Sequence, residues 1–188
     1  MSPWAIKRLG KAILQGAIIA YPTDTIWGLG CHPQLAHSVT RILDIKQRPV
    51  EKGLILLGSS LDLFEPYISD DLTSAQVALL TETTGRPVTW LVPASEHCPT
   101  WIRGHFPNVA IRITNHPFVA KICEQIQSPI VSTSANRAGG ETVRNVWQAR
   151  HLFIEQVDFI VSGFDLGTRC ASEIKSLENG HTIRAHPQ

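Results

Sequence analysis

The positively charged side chains between positions 46 and 52 are the first candidates for chemistry. Lys46, Arg48 and Lys52 lie where a predicted helix ends and before a predicted buried strand. Residues two apart in an extended segment point the same way, so Lys46 and Arg48 can converge on one anion. The alternative is a solvated helix C-terminus, where cations interact favourably with the helix dipole. The residues by themselves leave both interpretations open.

A run of hydroxyl and amide side chains follows the short apolar segment Ile130-Val131. In an extended chain, Ser132, Ser134 and Asn136 lie on one face, at the carboxyl end of a buried strand. Open α/β sheets bind ligands at that edge, and small hydroxyl groups allow a ligand to approach the backbone closely. The alternative is a polar turn in which Ser and Asn form local hydrogen bonds.

The segment YPTDTIWGLG, residues 21–30, also follows a buried strand and is predicted to lie at the same sheet edge. Its hydroxyls, carboxylate and aromatic ring suit a small zwitterion. Because of Pro22, Gly28 and Gly30, we expect a loop over residues 22–30. The alternative is a plain connecting loop with Trp27 packed in the core. Three arginines lie near hydroxyl or turn residues and are equally compatible with surface positions: Arg112, Arg144 and Arg184.

The composition favours one compact domain spanning residues 1–188. Hydrophobic residues make up 43% of the chain, and 17 Lys plus Arg oppose 16 Asp plus Glu, for a net charge of +1. This balance argues against disorder and against a protein that coats nucleic acid. No apolar stretch approaches the roughly 20 residues of a membrane span, and the N-terminal segment lacks a signal-peptide core. We therefore expect a cytoplasmic protein without membrane association.

Familiar catalytic signatures are absent from the sequence. GxxxxGK[ST], GxSxG and HExxH do not occur, and no cluster of cysteines and histidines has the spacing of a zinc site. No resident metal is expected. Chemistry should instead depend on positioning and charge stabilisation rather than on a covalent nucleophile. The cysteines are predicted to be free thiols, mostly in the core: Cys31, Cys98, Cys123 and Cys170.

Helical and extended patterns alternate along the chain, which is typical of an α/β fold. Apolar strand segments without a clean alternation indicate a sheet covered on both faces. The first helix is predicted to begin after Ser2 and to end by Gly16. The other predicted helices are 33–46, 73–82, 117–127 and 145–153, and the predicted strands are 17–21, 53–57, 88–92, 109–113, 130–132, 157–161 and 182–184.

Four segments in order resemble the YrdC/TsaC family of threonylcarbamoyl-AMP synthases. They are YPTDTIWGLG, KQRPVEKGLILL, VAIRITNHP and PIVSTSANRAGG, and the resemblance runs from about Ile6 to Arg184. It implies a YrdC-like fold, a twisted mixed α/β open sheet covered by helices, with a concave, positively charged cavity. It also implies a nucleotidyltransferase that forms threonylcarbamoyl-adenylate and pyrophosphate from L-threonine, bicarbonate and ATP, with Mg²⁺ carried by the nucleotide.

The resemblance further implies partners and residue roles. The product would feed the t⁶A modification of tRNA, so the expected partner is the t⁶A transferase machinery, with tRNA or another RNA as a candidate. The family's catalytic tetrad matches Lys46, Arg48, Ser134 and Asn136. Its threonine pocket is similar to Thr23, Arg112 and Ser172. The ATP-binding side would use Arg48, Lys52, Ser132, Ser134, Arg144 and Arg184.

Two other functions are compatible with the sequence. The same cavity could bind the phosphate backbone of RNA, as in an RNA-binding or ribosome-maturation module, but the net charge of +1 gives this no support. A similar domain also occurs inside larger hydrogenase-maturation proteins that transfer carbamoyl groups. Their acylphosphatase-like and zinc-finger segments have no counterpart in this sequence.

Overall fold

A computed structural model describes residues 1–82, 86–137, 139–163 and 170–185. The first helix begins as expected, because the Ser2 hydroxyl caps it and Pro3 occupies its first turn. The third begins with a capping box in which the side chains of Thr73 and Gln76 satisfy each other's backbone N–H groups. The helices are α1 (Pro3–Leu14), α2 (Ala36–Lys46), α3 (Ser74–Thr81), α4 (Thr100–Arg103), α5 (Pro117–Ile126) and α6 (Val146–Phe153).

The strands form one mixed sheet in the order β7-β1-β2-β6-β3-β5-β4-β8-β9. Pairs β1–β7, β3–β5 and β4–β8 are parallel, and the other neighbours are antiparallel. The expected α/β class and mixed sheet are therefore confirmed. The strands are β1 (Ile19–Tyr21), β2 (Gly28–Gly30), β3 (Ile55–Gly58), β4 (Val88–Pro93), β5 (Asn108–Ile113), β6 (Ile130–Ser134), β7 (Phe159–Ile160), β8 (Glu173–Ser176) and β9 (Thr182–Arg184).

Both faces of the sheet are covered, as the uninterrupted apolar strands predict. Ile19 and Tyr21 of β1 face a cluster that includes residues of α1 and α5. Ala20, between them, faces a larger cluster that includes residues of α2 and α6. Successive side chains of a strand point to opposite faces, so a strand buried on both sides needs apolar residues at every position.

The interpretation of residues 22–30 as a loop is wrong for its last part. Gly28–Gly30 forms β2, which pairs with β1 on one side and β6 on the other. The glycines are required by close packing: a Cβ on Gly30 would lie 2.5 Å from the Val131 carbonyl oxygen and 2.8 Å from the Tyr21 ring. Here the glycines allow neighbouring groups to approach the strand closely. The loop prediction treated them as turn residues and did not consider this role.

Three of the four cysteines are buried free thiols, which confirms the expectation that they are mostly core residues. Burial raises the pKa of Cys98 to about 11 and that of Cys123 to about 12, so these thiols stay protonated at neutral pH. Within the ranges that the structure describes, no helix is long and apolar enough to cross a membrane.

Candidate functional site

The ends of β1 and β6 bring two of the predicted segments together. Gly28 of β2 is opposite Tyr21, the last residue of β1, and also opposite Ser134, the last residue of β6. Because β2 is antiparallel to both strands, their carboxyl ends lie at one edge of the sheet. The expectation that the Tyr21 and serine segments share an edge is confirmed.

A cavity of about 280 Å³ opens at this edge. Its polar wall combines hydroxyl groups with guanidinium groups, and its apolar wall includes Trp27 and Leu54. Among the residues that the structure describes, no carboxylate lines it. The polar residues of the wall are Thr25, Arg48, Arg112, Ser132, Thr133, Ser134, Thr142, Ser172 and Arg184.

Lys46 lies against the serine segment. Its ammonium donates hydrogen bonds to the Asn136 Oδ1 at 2.7 Å and to the Ser134 carbonyl oxygen at 2.6 Å, and it lies 3.4 Å from the Ser134 Oγ. The Ser134 hydroxyl in turn donates to the same Asn136 Oδ1 at 2.7 Å. Only 8% of Lys46 is exposed, so it is not a solvated helix terminus. Burial, with a smaller contribution from the nearby Arg48 charge, lowers the pKa of Lys46 from 10.5 to about 8.

The prediction that Lys46 and Arg48 lie two apart in an extended segment is wrong. Lys46 is the last residue of α2, and Gln47 adopts a left-handed conformation with φ of 47°. The chain therefore reverses sharply between the two cations and does not continue as an extended segment. Arg48 reaches the cavity wall by this turn, and its guanidinium donates to the Gly53 carbonyl oxygen at 2.9 Å.

Arg112 enters the cavity from β5. It is 4% exposed, so the surface position that the sequence left open does not apply to it. Its Nη2 lies 3.1 Å from the Asp24 Oδ1 and its Nη1 donates to the Thr25 hydroxyl at 3.2 Å. Its Nε is buried without a hydrogen-bond partner in the described part of the chain. That N–H is a donor without an acceptor, and a carboxylate would suit it because guanidinium groups bind carboxylates in a fork.

Ser172 and Arg184 close the far side of the cavity. The Arg184 guanidinium donates to the Ser172 carbonyl oxygen at 2.8 Å through Nη2 and at 3.2 Å through Nε. The Ser172 hydroxyl is 2.7 Å from that of Thr89. Burial, followed by repulsion from Arg112 and Arg48, lowers the pKa of Arg184. The Arg184 guanidinium is thus close enough to Arg112 and Arg48 for their charges to repel it, which favours an anion between them.

Five predicted residues do not line this cavity: Lys46, Asn136, Lys52, Arg144 and Thr23. Lys46 and Asn136 lie beside its wall, where both contact Ser134. Lys52 and Arg144 are exposed, and Arg144 forms a 3.7 Å ion pair with Glu141. Thr23 is buried behind the wall, where its hydroxyl donates to the Ile26 carbonyl oxygen and lies 3.0 Å from the Thr25 hydroxyl. Thr25, not Thr23, contacts Arg112.

Sequence reasoning missed the roles of Asp24 and Thr25, although both lie within the segment that it selected. In an extended segment Thr23 and Thr25 would lie on the same face, so alternation gives no means of telling their roles apart. The structure describes a bend there instead. The pairing of Asp24 with Arg112, 88 positions later in the sequence, leaves no local pattern.

Comparison with known proteins shows the family to which this chain belongs. The Sua5_yciO_yrdC family model, described as "Telomere recombination", matches residues 11–186. The chain belongs to the Sua5/YciO/YrdC family. Relatives in this family include the threonylcarbamoyl-AMP synthase of Cellvibrio japonicus, 45% identical over 90% of this chain and 89% of the relative. The enzyme of the same name from Stutzerimonas stutzeri is 39% identical over 96% of this chain and 97% of its own.

Solved structures of the Sua5/YciO/YrdC family have the same fold. P. abyssi Sua5 complexed with L-threonine superposes with a TM-score of 0.88 at 26% identity, over 97% of this chain. This chain spans 53% of that Sua5 chain, about half its length. E. coli YciO superposes with a TM-score of 0.85 over 98% of this chain and 90% of its own, but at 22% identity it supports the fold alone.

Proposed function

We propose that this protein is a threonylcarbamoyl-AMP synthase, a nucleotidyltransferase that makes threonylcarbamoyl-adenylate and pyrophosphate from L-threonine, bicarbonate and ATP. The observation that carries the proposal is the convergence of Arg48, Arg112 and Arg184 with hydroxyl groups on one cavity. Guanidinium groups bind both carboxylates and phosphates. The relatives named threonylcarbamoyl-AMP synthase support the same function.

The amino acid belongs on the Arg112 side of the cavity. Its carboxylate would receive the unpartnered Nε–H of Arg112. Ser172 contributes to this subsite from the wall, and Thr23 acts from behind by holding Thr25 in contact with Arg112. A Sua5 protein with L-threonine bound makes threonine a reasonable occupant.

The nucleotide belongs on the side formed by the serine segment and the other two arginines. Arg48, Ser132, Ser134 and Arg184 line this part of the wall. Lys52 and Arg144, which the family resemblance assigns to ATP, lie on the surface and would have to reach a phosphate from outside the wall. Their role therefore stays a prediction.

Catalysis would depend on charge stabilisation by the tetrad. Threonine and bicarbonate would first condense to N-carboxy-threonine with loss of water. A carbamate oxygen of this intermediate then attacks the α-phosphate, an oxygen–phosphorus bond forms, and the bond to pyrophosphate breaks. Negative charge grows on the phosphoryl oxygens, and the Arg48 and Lys46 charges would offset it. Asn136 and Ser134 fix the position of the Lys46 ammonium. No covalent intermediate with the protein is needed.

Mg²⁺ would be carried by the phosphates, because the described cavity wall offers cations and hydroxyls where Mg²⁺ prefers carboxylates. Transfer of the product to the t⁶A transferase machinery, a cytoplasmic location and a single-domain organisation are further parts of the proposal. Binding of tRNA or another RNA is an alternative use of the same cations, and it predicts an affinity that falls steeply with added salt.

The deciding experiment measures pyrophosphate release from ATP with and without threonine and bicarbonate, with mass detection of the adenylate. We expect release only when both are present. Arg48→Ala should lower the rate by about 10²–10³-fold. Arg8→Ala, an exposed arginine of α1 outside the cavity, is the matched control and should leave the rate unchanged. Pyrophosphate release that does not depend on threonine, or full activity in Arg48→Ala, would contradict the proposal.

A further inference from the structure

Asp24 lies on the boundary between two cavities. It lines a second cavity, of about 600 Å³, whereas its ion-pair partner Arg112 lines the smaller cavity described above. The Asp24 side chain is 24% exposed and that of Arg112 only 5%, so the pair lies in the wall with its carboxylate end toward the larger cavity. Asp24 therefore approaches Arg112 from behind, on the side away from the proposed substrates.

The pair fixes one end of a short chain of polar contacts. Arg112 contacts the Thr25 hydroxyl at 3.2 Å, Thr25 lies 3.0 Å from the Thr23 hydroxyl, and Thr23 donates to the Ile26 carbonyl oxygen at 2.8 Å. A guanidinium group is planar and rigid, so contacts at both terminal nitrogens set the orientation of the whole group. The direction of the Nε–H follows from those two contacts.

A buried guanidinium requires such support. Taking a charge out of water is costly unless another charge or several dipoles compensate it. Within the described residues, Asp24 is the carboxylate that forms an ion pair with Arg112. Thr25 supplies a neutral acceptor. Without Asp24, the guanidinium would gain by turning toward water in either cavity.

We propose that Asp24 is a positioning residue: it holds the Arg112 guanidinium in the wall of the smaller cavity, in the orientation in which it can bind the carboxylate of the amino acid. This inference rests on the proposed function for the identity of the ligand. The orientation of Arg112 itself is a property of the free protein. Asp24 touches neither the phosphates nor the reacting atoms in this arrangement, so its loss should affect the binding of threonine and spare that of ATP.

The kinetic test compares Asp24→Asn, Asp24→Glu and Thr25→Val with the wild type. We expect Asp24→Asn to lower kcat/KM for L-threonine by about 10²-fold, the cost of a misplaced group. The loss should lie mainly in KM for threonine, with KM for ATP unchanged. Asp24→Glu keeps the charge and should recover at least about tenfold, and Thr25→Val, which removes one neutral hydrogen bond, should lose about tenfold.

A control variant separates positioning from general destabilisation. Asp158→Asn also removes the carboxylate of an Asp–Arg ion pair, the 3.2 Å pair with Arg41, and it removes the partner of the Ile18 amide. It should lower the melting temperature and leave KM for threonine unchanged. An equal loss of threonine affinity in Asp158→Asn and Asp24→Asn would overturn the inference, as would an equal rise in the two KM values of Asp24→Asn.

A second readout does not depend on turnover. The Arg112 Nε–H signal, observed by NMR in the ligand-free protein, should be slowly exchanging in the wild type and fast in Asp24→Asn. An unchanged exchange rate overturns the positioning role even if the enzyme is active. Titration of the wild type with L-threonine should shift this signal. If no shift occurs and no pyrophosphate forms, the proposed function fails, while the exchange rates still decide the role of Asp24.

Discussion

Lys46 and Arg112 are both cations buried next to one cavity, but the protein holds them in opposite ways. Arg112 is paired with a carboxylate, Asp24, at 3.1 Å. Lys46 is surrounded by neutral oxygens of Ser134 and Asn136, and no described carboxylate forms an ion pair with it. The exposed fractions are similar, 8% for Lys46 and 4% for Arg112, so burial does not explain the difference.

The difference indicates two uses of a buried charge. A charge that is already paired has a fixed orientation and can serve as a rigid anchor for a ligand. A charge held only by dipoles is not neutralised by a counter-ion, so it can still attract a negative charge. Its burial lowers the pKa, which for Lys46 is about 8. Such a group gains most when a negative charge appears beside it, as in the proposed phosphoryl transfer.

The largest effects are expected when the variants Lys46→Met and Arg112→Met are compared. Lys46→Met should lower the rate of adenylate formation by about 10²–10³-fold. It should leave the free energy of unfolding unchanged or raise it, because methionine removes a buried charge that lacks a counter-ion. Arg112→Met should lower the free energy of unfolding, since it leaves Asp24 and Thr25 without their partner. Urea unfolding and pyrophosphate release measure both quantities.

The proposed difference between Lys46 and Arg112 is contradicted if the two variants change the free energy of unfolding equally. Loss of stability in Lys46→Met as great as in Arg112→Met would mean that the oxygens of Ser134 and Asn136 compensate the ammonium fully. An active Lys46→Met would remove Lys46 from the catalytic tetrad altogether.

Strand β2, which lies between β1 and β6, supplies a second test. Gly30→Ala places a Cβ 2.5 Å from the Val131 carbonyl oxygen, so β2 must move away from its neighbours. We expect a loss of about 1–3 kcal/mol in the free energy of unfolding, the usual cost of overpacking. Gly140→Ala is the control, because its nearest non-neighbour atom would be at 3.4 Å, an ordinary contact. Comparable stabilities for the two variants would show that β2 tolerates the displacement.

The pH dependence gives the finest test, because activity and stability should change in opposite directions. Above pH 8 the folded protein loses the Lys46 proton, and the rate should fall by about tenfold per pH unit. The unfolded chain keeps that proton up to about 10.5, so it binds more protons than the folded chain in this range. Stability due to Lys46 therefore rises with pH between about 8 and 10.5.

Lys46→Met is the control for both measurements. Its residual activity should lack the fall above pH 8, and its unfolding midpoint should lack the corresponding rise. A fall in wild-type activity that persists unchanged in Lys46→Met would assign the titration to another group, such as the amine of threonine.

Much of the fold follows from local patterns in the sequence. α1 has a capping serine and an early proline, α3 has a capping box, and the strands buried on both faces are uninterrupted apolar segments. Strand β8 was not predicted, because Glu173–Ser176 is polar and partly exposed and becomes a strand by pairing with β4. The short helix α4 was missed for a similar reason, since its four residues carry no periodicity.

The amino-acid sequence alone shows which residue types are available for chemistry and in what order. Cations lie at and just beyond the end of α2, hydroxyls lie at the end of β6, and a mixed segment follows β1. The tertiary structure decided which of them meet. The left-handed turn at Gln47, the position of β2 between β1 and β6, and the pairing of Asp24 with Arg112 all join residues that no local pattern connects. Local propensities act over a few residues, whereas an ion pair or a strand neighbour depends on how the whole sheet is assembled.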